Sequence, residues 1–232
     1  AEKISFESGG RQAAMLGYAP DDNDMRPIVL LLHGAGGYEK ARGLYERHAA
    51  LLVSHGYRVY ALLYYDDQDQ LAMAGKDRKA MRENRGRRFR AWMEVVTDAM
   101  DHISHLPGTD KDRIGILGFS LGAYIAVGVA GTDNRVAAVV EKYGGVPKAV
   151  RADIHQLPPI LIVHGEADRN VPVAEAHALA AFMDELGSRY VLKTYVNAGH
   201  GFDAKRGSAD AEDAIQETLR FLNEYLADRG PE

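Results

Sequence analysis

Cysteine is absent from the 232 residues of this chain. Its absence excludes disulfides, thiolate metal sites and a thiol nucleophile, and leaves the redox compartment open. Long apolar runs are missing as well. Stretches such as Ile28 to Leu32 fall far short of the roughly 20 residues that cross a bilayer, and no signal peptide stands at the start. There is also no excess of positive charge. The net charge of −5 lacks the basic balance that contact with a phosphate backbone requires, so neither nucleic acid nor membrane is expected as a partner. The first residue is Ala1 rather than a methionine, as signal-peptide removal, tag cleavage or methionine trimming would each leave it. Cytoplasmic, periplasmic and secreted locations of a soluble protein therefore all stay open, as does the oligomeric state.

What the chain does have is a regular alternation. It is 46% hydrophobic, enough to bury a core, and its length suits one α/β domain over residues 1–232. Short leucine-rich or β-branched runs read as buried strands: Ile28 to Leu32, Arg58 to Tyr64, Ile114 to Leu117, Val136 to Val140, Ile160 to Val163 and Val191 to Val196. Between them lie apolar residues at helical spacing, such as Phe89, Trp92, Val96, Met100 and Ile103, and later Ile215, Leu219, Leu222 and Leu226. Strands alternating with helices build a mainly parallel sheet covered on both faces. At the start, Lys3 to Glu7 and Gln12 to Tyr18 flank Gly9-Gly10 and read as an edge hairpin.

One segment departs from the pattern. Asp66 to Arg90 is polar, with Lys76, Arg78, Lys79, Arg82, Arg85, Arg87, Arg88 and Arg90 following three aspartates, and it reads as a long surface loop with partial helix. A sharper reading makes it a partial lid whose guanidinium groups bind a substrate carboxylate.

The chemistry is read from three loops. Gly118-Phe119-Ser120-Leu121-Gly122 follows the strand Ile114 to Leu117 and opens a helix of small residues. In such a strand, tight turn and helix, the serine sits at a strained bend where side chains at the flanking glycines would collide with their neighbours. A serine hydroxyl is a weak nucleophile, so an imidazole must take its proton and a carboxylate must orient the imidazole. Asp168 stands after the strand Ile160 to Val163, in His164-Gly165-Glu166-Ala167-Asp168. His200 stands after Val191 to Val196, in Ala198-Gly199-His200-Gly201-Phe202. Taken singly, Ser120 could be a helix N-cap, Asp168 a turn residue and His200 a loop histidine. Their order along the chain, Ser then Asp then His, is that of an α/β-hydrolase. Glu166 is a weaker rival to Asp168, and its side chain should point away from His200.

The strand Ile28 to Leu32 ends in His33-Gly34-Ala35-Gly36-Gly37, where an early strand-to-helix loop lends a backbone amide to an oxyanion. The amides of Leu121 and Ala35 are the expected donors, with Gly36 an option for the second. The segment lacks the Lys-Ser/Thr of a phosphate-binding loop, and no cofactor is expected. His102 and His105 stand three apart without a supporting third ligand, so no metal is expected either.

Together Leu31 to Gly37, Gly118 to Gly122, His164 to Asp168 with Val171-Pro172, and Ala198 to Phe202 resemble the dienelactone hydrolase family over most of the chain. The resemblance implies an α/β-hydrolase fold, a parallel sheet flanked by helices, with no large cap domain. The namesake enzymes carry a cysteine nucleophile. Ser120 in its place looks more like the esterase and prolyl-oligopeptidase-like relatives. The expectation is a serine esterase acting on a small carboxylic ester through Ser120, Asp168 and His200. An acyltransferase or peptidase with the same residues, or a non-catalytic ligand-binding protein of the same fold, stand as alternatives.

Overall fold

Strand β3 (Arg26–Leu32) shows how the molecule is layered. Its residues alternate between two apolar cores, Ile28, Leu30 and Leu32 on one side and Val29 and Leu31 on the other, and all five are fully buried. A strand that is apolar on both faces must be covered on both, as a parallel strand in the middle of a sheet is. The computed structural model describes residues 1–20, 22–75 and 77–226, and within them eight strands form one sheet in the order β1-β2-β4-β3-β5-β6-β7-β8.

β1 (Glu2–Ser8) and β2 (Arg11–Tyr18) form the expected edge hairpin, turning through Gly9 and Gly10 at φ 53° and 74°. Two successive positive φ values are what a tight hairpin turn demands. β2 is antiparallel to β4 (Arg58–Leu63), and from β4 onward every pairing is parallel. Those strands are β3, β5 (Thr109–Phe119), β6 (Val136–Lys142), β7 (Ile160–Gly165) and β8 (Tyr190–Tyr195).

Among the described residues six α-helices cover the sheet. α1 (Arg42–Ser54) and α6 (Ala209–Leu226) pack on one face. α2 (Asp67–Ala74), α3 (Arg78–Ile103), α4 (Leu121–Ala130) and α5 (Ala174–Glu185) pack on the other. The positions read as helical from their spacing, Phe89, Trp92, Val96, Met100 and Ile103 on α3 and Ile215, Leu219, Leu222 and Leu226 on α6, are all buried. Such spacing places them on one stripe facing the sheet.

The polar segment from Asp66 to Arg90 is not the long loop its composition suggests. It is α2 followed by the first half of α3, and only a short break separates them. The cause is a charged anchor that faces inward. Asp69 is buried, takes Arg88 through Nε at 2.9 Å and Nη2 at 3.0 Å, and accepts the indole N–H of Trp92 at 2.8 Å. Asp66 caps α2, its side chain accepting the Asp69 amide at 2.8 Å while Asp69 accepts the Asp66 amide at 3.3 Å. Reciprocal capping of this kind fixes a helix start without apolar residues. Lys76 and the Arg78 side chain lie outside the described residues.

Candidate active site

The loops that follow β5, β7 and β8 meet at the carboxyl ends of the parallel strands, the rim where α/β sheets bind ligands. The bend between β5 and α4 carries Ser120 at φ 53° and ψ −114°, a left-handed conformation that a non-glycine residue enters only with strain. The two glycines around it are required by contact. A Cβ on Gly118 would lie 2.6 Å from Ala123 Cα, and one on Gly122 would lie 2.6 Å from the His33 carbonyl oxygen. The Ser120 amide donates to Lys142 O at 2.9 Å, and its carbonyl accepts from Ala123 N at 2.9 Å, so the bend is held on both sides.

The structure brings together the three side chains singled out in the sequence. Ser120 Oγ lies 3.0 Å from His200 Nε2, and His200 Nδ1 lies 2.6 Å from Asp168 Oδ2. Asp168 Oδ1 accepts the amides of Asn170 at 2.8 Å and Val171 at 2.9 Å, so the carboxylate is fixed by its own loop. The Asp168 side chain is wholly buried and the His200 side chain is 21% exposed, so only the imidazole of this pair faces outward. With Nδ1 protonated and donating to Asp168, Nε2 keeps its lone pair for the hydroxyl proton of Ser120. Glu166 points away, accepting from Thr194 Oγ1 at 2.8 Å.

His33, Gly34 and Ala35 form the facing wall. Three tyrosines that the sequence leaves without roles hold its backbone. Tyr64 OH donates to His33 O at 2.6 Å, Tyr45 OH accepts the Gly34 amide at 2.9 Å, and Tyr65 OH donates to Ala35 O at 3.3 Å. The His33 ring stacks on Tyr64 at 4.0 Å, and burial pushes its pKa down to about 4, which keeps it neutral. Among the described hydrogen bonds none takes the amides of Ala35, Gly36 or Leu121. They remain available to an oxyanion, and Leu121 lies at the amino end of α4, where the helix dipole favours negative charge.

A cavity of about 450 Å³ opens beside Leu121. Phe89, Tyr124, Val146 and Pro147 give it apolar walls, and Arg82 and Arg85 of α3 line it too. Arg85 Nε is buried without a partner. Arg88 is instead committed to Asp66 and Asp69, and Arg90 to Asp153 at 2.8 Å. A smaller cavity of about 100 Å³ lies on the other side, by His33, Gly36 and Tyr65. The larger cavity of about 640 Å³ near Ala1, Tyr18 and Arg58 shares no residue with this site.

The sequence pattern of the dienelactone hydrolase family matches residues 14–226. The chain belongs to the dienelactone hydrolase family. It has the α/β-hydrolase fold of that family. Acyl-coenzyme A thioesterase 1 of Mus musculus is 27% identical over 160 residues, which is 68% of this chain and 33% of that protein. The dienelactone hydrolase-like promiscuous phosphotriesterase P91 from metagenomic libraries superposes with a TM-score of 0.81 at 18% identity, covering 97% of this chain and 98% of that one. The acylaminoacyl peptidase of Pyrococcus horikoshii superposes with a TM-score of 0.78 at 15% identity, over 100% of this chain and 43% of that one. The chain spans between 27% and 51% of the length of the curated relatives it matches. No helix among the described residues is long and apolar enough to cross a membrane.

Two sets of residues at the site went unread in the sequence. One is Tyr45, which lies on α1 and carried no signal, with Tyr64 and Tyr65, whose only signal was their place just after the strand Arg58 to Leu63. The other is the pair Glu141-Lys142 at the end of β6, charged residues continuing an apolar strand and fully buried in the structure.

Proposed function

We propose that this member of the family is a serine esterase that cleaves a small carboxylic ester through an acyl-enzyme. His200 takes the proton of Ser120, whose Oγ attacks the carbonyl carbon. The amides of Leu121 and Ala35, with Gly36 adjacent, receive the tetrahedral oxyanion, and Asp168 orients and stabilises the imidazolium. His200 then returns the proton to the leaving alcohol, and a water activated by the same imidazole releases the acid. The 450 Å³ cavity beside Leu121 would take one side of the ester and the smaller one by Gly36 the other.

The single observation that carries this reading is the unbroken chain from Ser120 Oγ through His200 to Asp168, at 3.0 Å and 2.6 Å, facing uncommitted backbone amides. The test is hydrolysis of p-nitrophenyl acetate with fluorophosphonate labelling. Ser120→Ala should abolish both while the chain still folds, and turnover that survives in that variant removes the assignment. The relatives named as a thioesterase and a peptidase keep acyl thioesters and aminoacyl amides in play as substrates of the same residues. Comparing kcat/KM over esters, thioesters and amides separates these, and a wild-type chain that takes no label favours a non-catalytic binding protein.

A further inference from the structure

Lys142 ends β6 with its ammonium turned into the core between the sheet, α1 and the loop after β8, and it has no exposure at all. Its Nζ donates to Asp203 Oδ2 at 2.8 Å and to His48 Nε2 at 3.0 Å. Asp203, equally buried, accepts the Tyr143 hydroxyl on Oδ1 at 2.9 Å, and its carbonyl accepts Arg47. His48 completes the set by donating from Nδ1 to Leu44 O at 3.0 Å. Burial alone would raise the Asp203 carboxyl, but the Lys142 ammonium, aided by the Tyr143 hydroxyl, outweighs it and holds the group below the usual carboxylate range.

Such a cluster is a poor choice for stability alone. Withdrawing an ammonium and a carboxylate from water costs so much that apolar residues of like volume usually serve as well or better. What distinguishes this cluster is its position. Asp203 is three residues beyond His200, in the turn Phe202–Ala204. Tyr143, whose hydroxyl it accepts, sets its ring edge-on to the His200 imidazole, 4.9 Å between centroids at 64°. Tyr143 is also, with Ser120, one of two non-glycine residues at positive φ among the described residues, at 46°. Its amide donates to Val163 O at 2.8 Å, so it is pinned at both backbone and hydroxyl. One carboxylate thus fixes the backbone that carries the imidazole and the ring that borders it.

We propose that Lys142, Asp203 and Tyr143 form a positioning device for His200, holding the imidazole in the one orientation that joins Ser120 to Asp168. The device depends on the reading of His200 as the base. Lys142 supplies the charge that keeps Asp203 ionised, Asp203 ties the histidine turn to β6, and Tyr143 limits rotation of the imidazole. None of the three touches the substrate.

The test uses the full chain with two variants, Tyr143→Phe and the double variant Lys142→Met with Asp203→Leu. Tyr143→Phe removes only the hydroxyl and should fold. With p-nitrophenyl acetate its kcat should fall roughly ten- to hundredfold at unchanged KM, because misplacement of a reacting group lowers the rate of the chemical step. The low-field proton signal of His200 Nδ1–H should broaden or vanish. The double variant should melt at or above the wild-type temperature and still show the low kcat. A structural role alone predicts the opposite, with kcat recovering as the melting temperature does. Wild-type kcat in either folded variant, with an unchanged His200 proton signal, overturns the proposal while leaving the esterase reading intact. A wild-type chain that fluorophosphonate does not label removes both.

Discussion

Asp168 holds His200 Nδ1 at 2.6 Å with one oxygen while its other oxygen accepts the amides of Asn170 and Val171. The two oxygens therefore have different duties, and an amide side chain could perform only one of them. In Asp168→Asn an NH2 group facing Nδ1 would favour the tautomer with its proton on Nε2, where it cannot accept from Ser120. We expect kcat on p-nitrophenyl acetate to fall by about 10³- to 10⁴-fold with the fold retained, as measured by stopped assay and circular dichroism.

Arg85 borders the cavity beside Leu121 with a buried Nε that has no partner. A charge-assisted bond to an anionic substrate group is worth roughly 1.5–3 kcal/mol, or about ten- to hundredfold in kcat/KM. Arg85→Met should therefore lower kcat/KM for the mono-p-nitrophenyl ester of succinate by that factor and leave p-nitrophenyl butyrate near its wild-type value. Equal loss on both esters would assign Arg85 to packing instead.

Glu141 is buried at the end of β6 with one oxygen accepting the Gly144 amide and the other unpartnered, and burial pushes its pKa from 4.5 up to about 8. Below pH 4.5 the folded and unfolded chains both hold this proton, and between pH 4.5 and about 8 only the folded chain does. Stability from this group is therefore full in acid and lost as pH rises through that window. Glu141→Gln keeps an acceptor for Gly144 and carries no charge. Its denaturation midpoint should match wild type near pH 5 and exceed it near pH 9, by an amount on the order of a few kcal/mol in stability.

Arg88 neutralises the buried carboxylate of Asp69. Removing one partner of such a pair leaves an uncompensated charge, so Arg88→Met should cost about 3–5 kcal/mol in urea denaturation, discounted toward the lower figure because the Arg88 side chain is 25% exposed. The double change of Arg88→Met with Asp69→Leu should restore much of it.

That same pair explains what the sequence left unread. The strands, the edge hairpin and the α3 and α6 stripes were legible because apolar periodicity records burial directly. The three loops of the site were legible because glycines mark tight bends and because serine, aspartate and histidine fell in one order. The segment from Asp66 to Arg90 misled because its inward face is built from Asp69, Arg88 and Asn84, and hydropathy cannot distinguish a charge facing a partner from one facing water. Lys142 and Asp203 were hidden for the same reason: they lie 61 positions apart in the chain, and only the folded structure brings them to 2.8 Å.

β8 is the last strand of the sheet, three strand spacings or about 14 Å from β5. His200 is consequently mounted as on a cantilever that springs from the sheet's free margin and reaches back across β7 and β6 to Ser120. Ser120 follows a central strand of the sheet, and its proposed base follows an edge strand. Loosening that edge, by denaturant or by a substitution in β8, should abolish the proposed hydrolysis of p-nitrophenyl acetate well before the molecule as a whole unfolds.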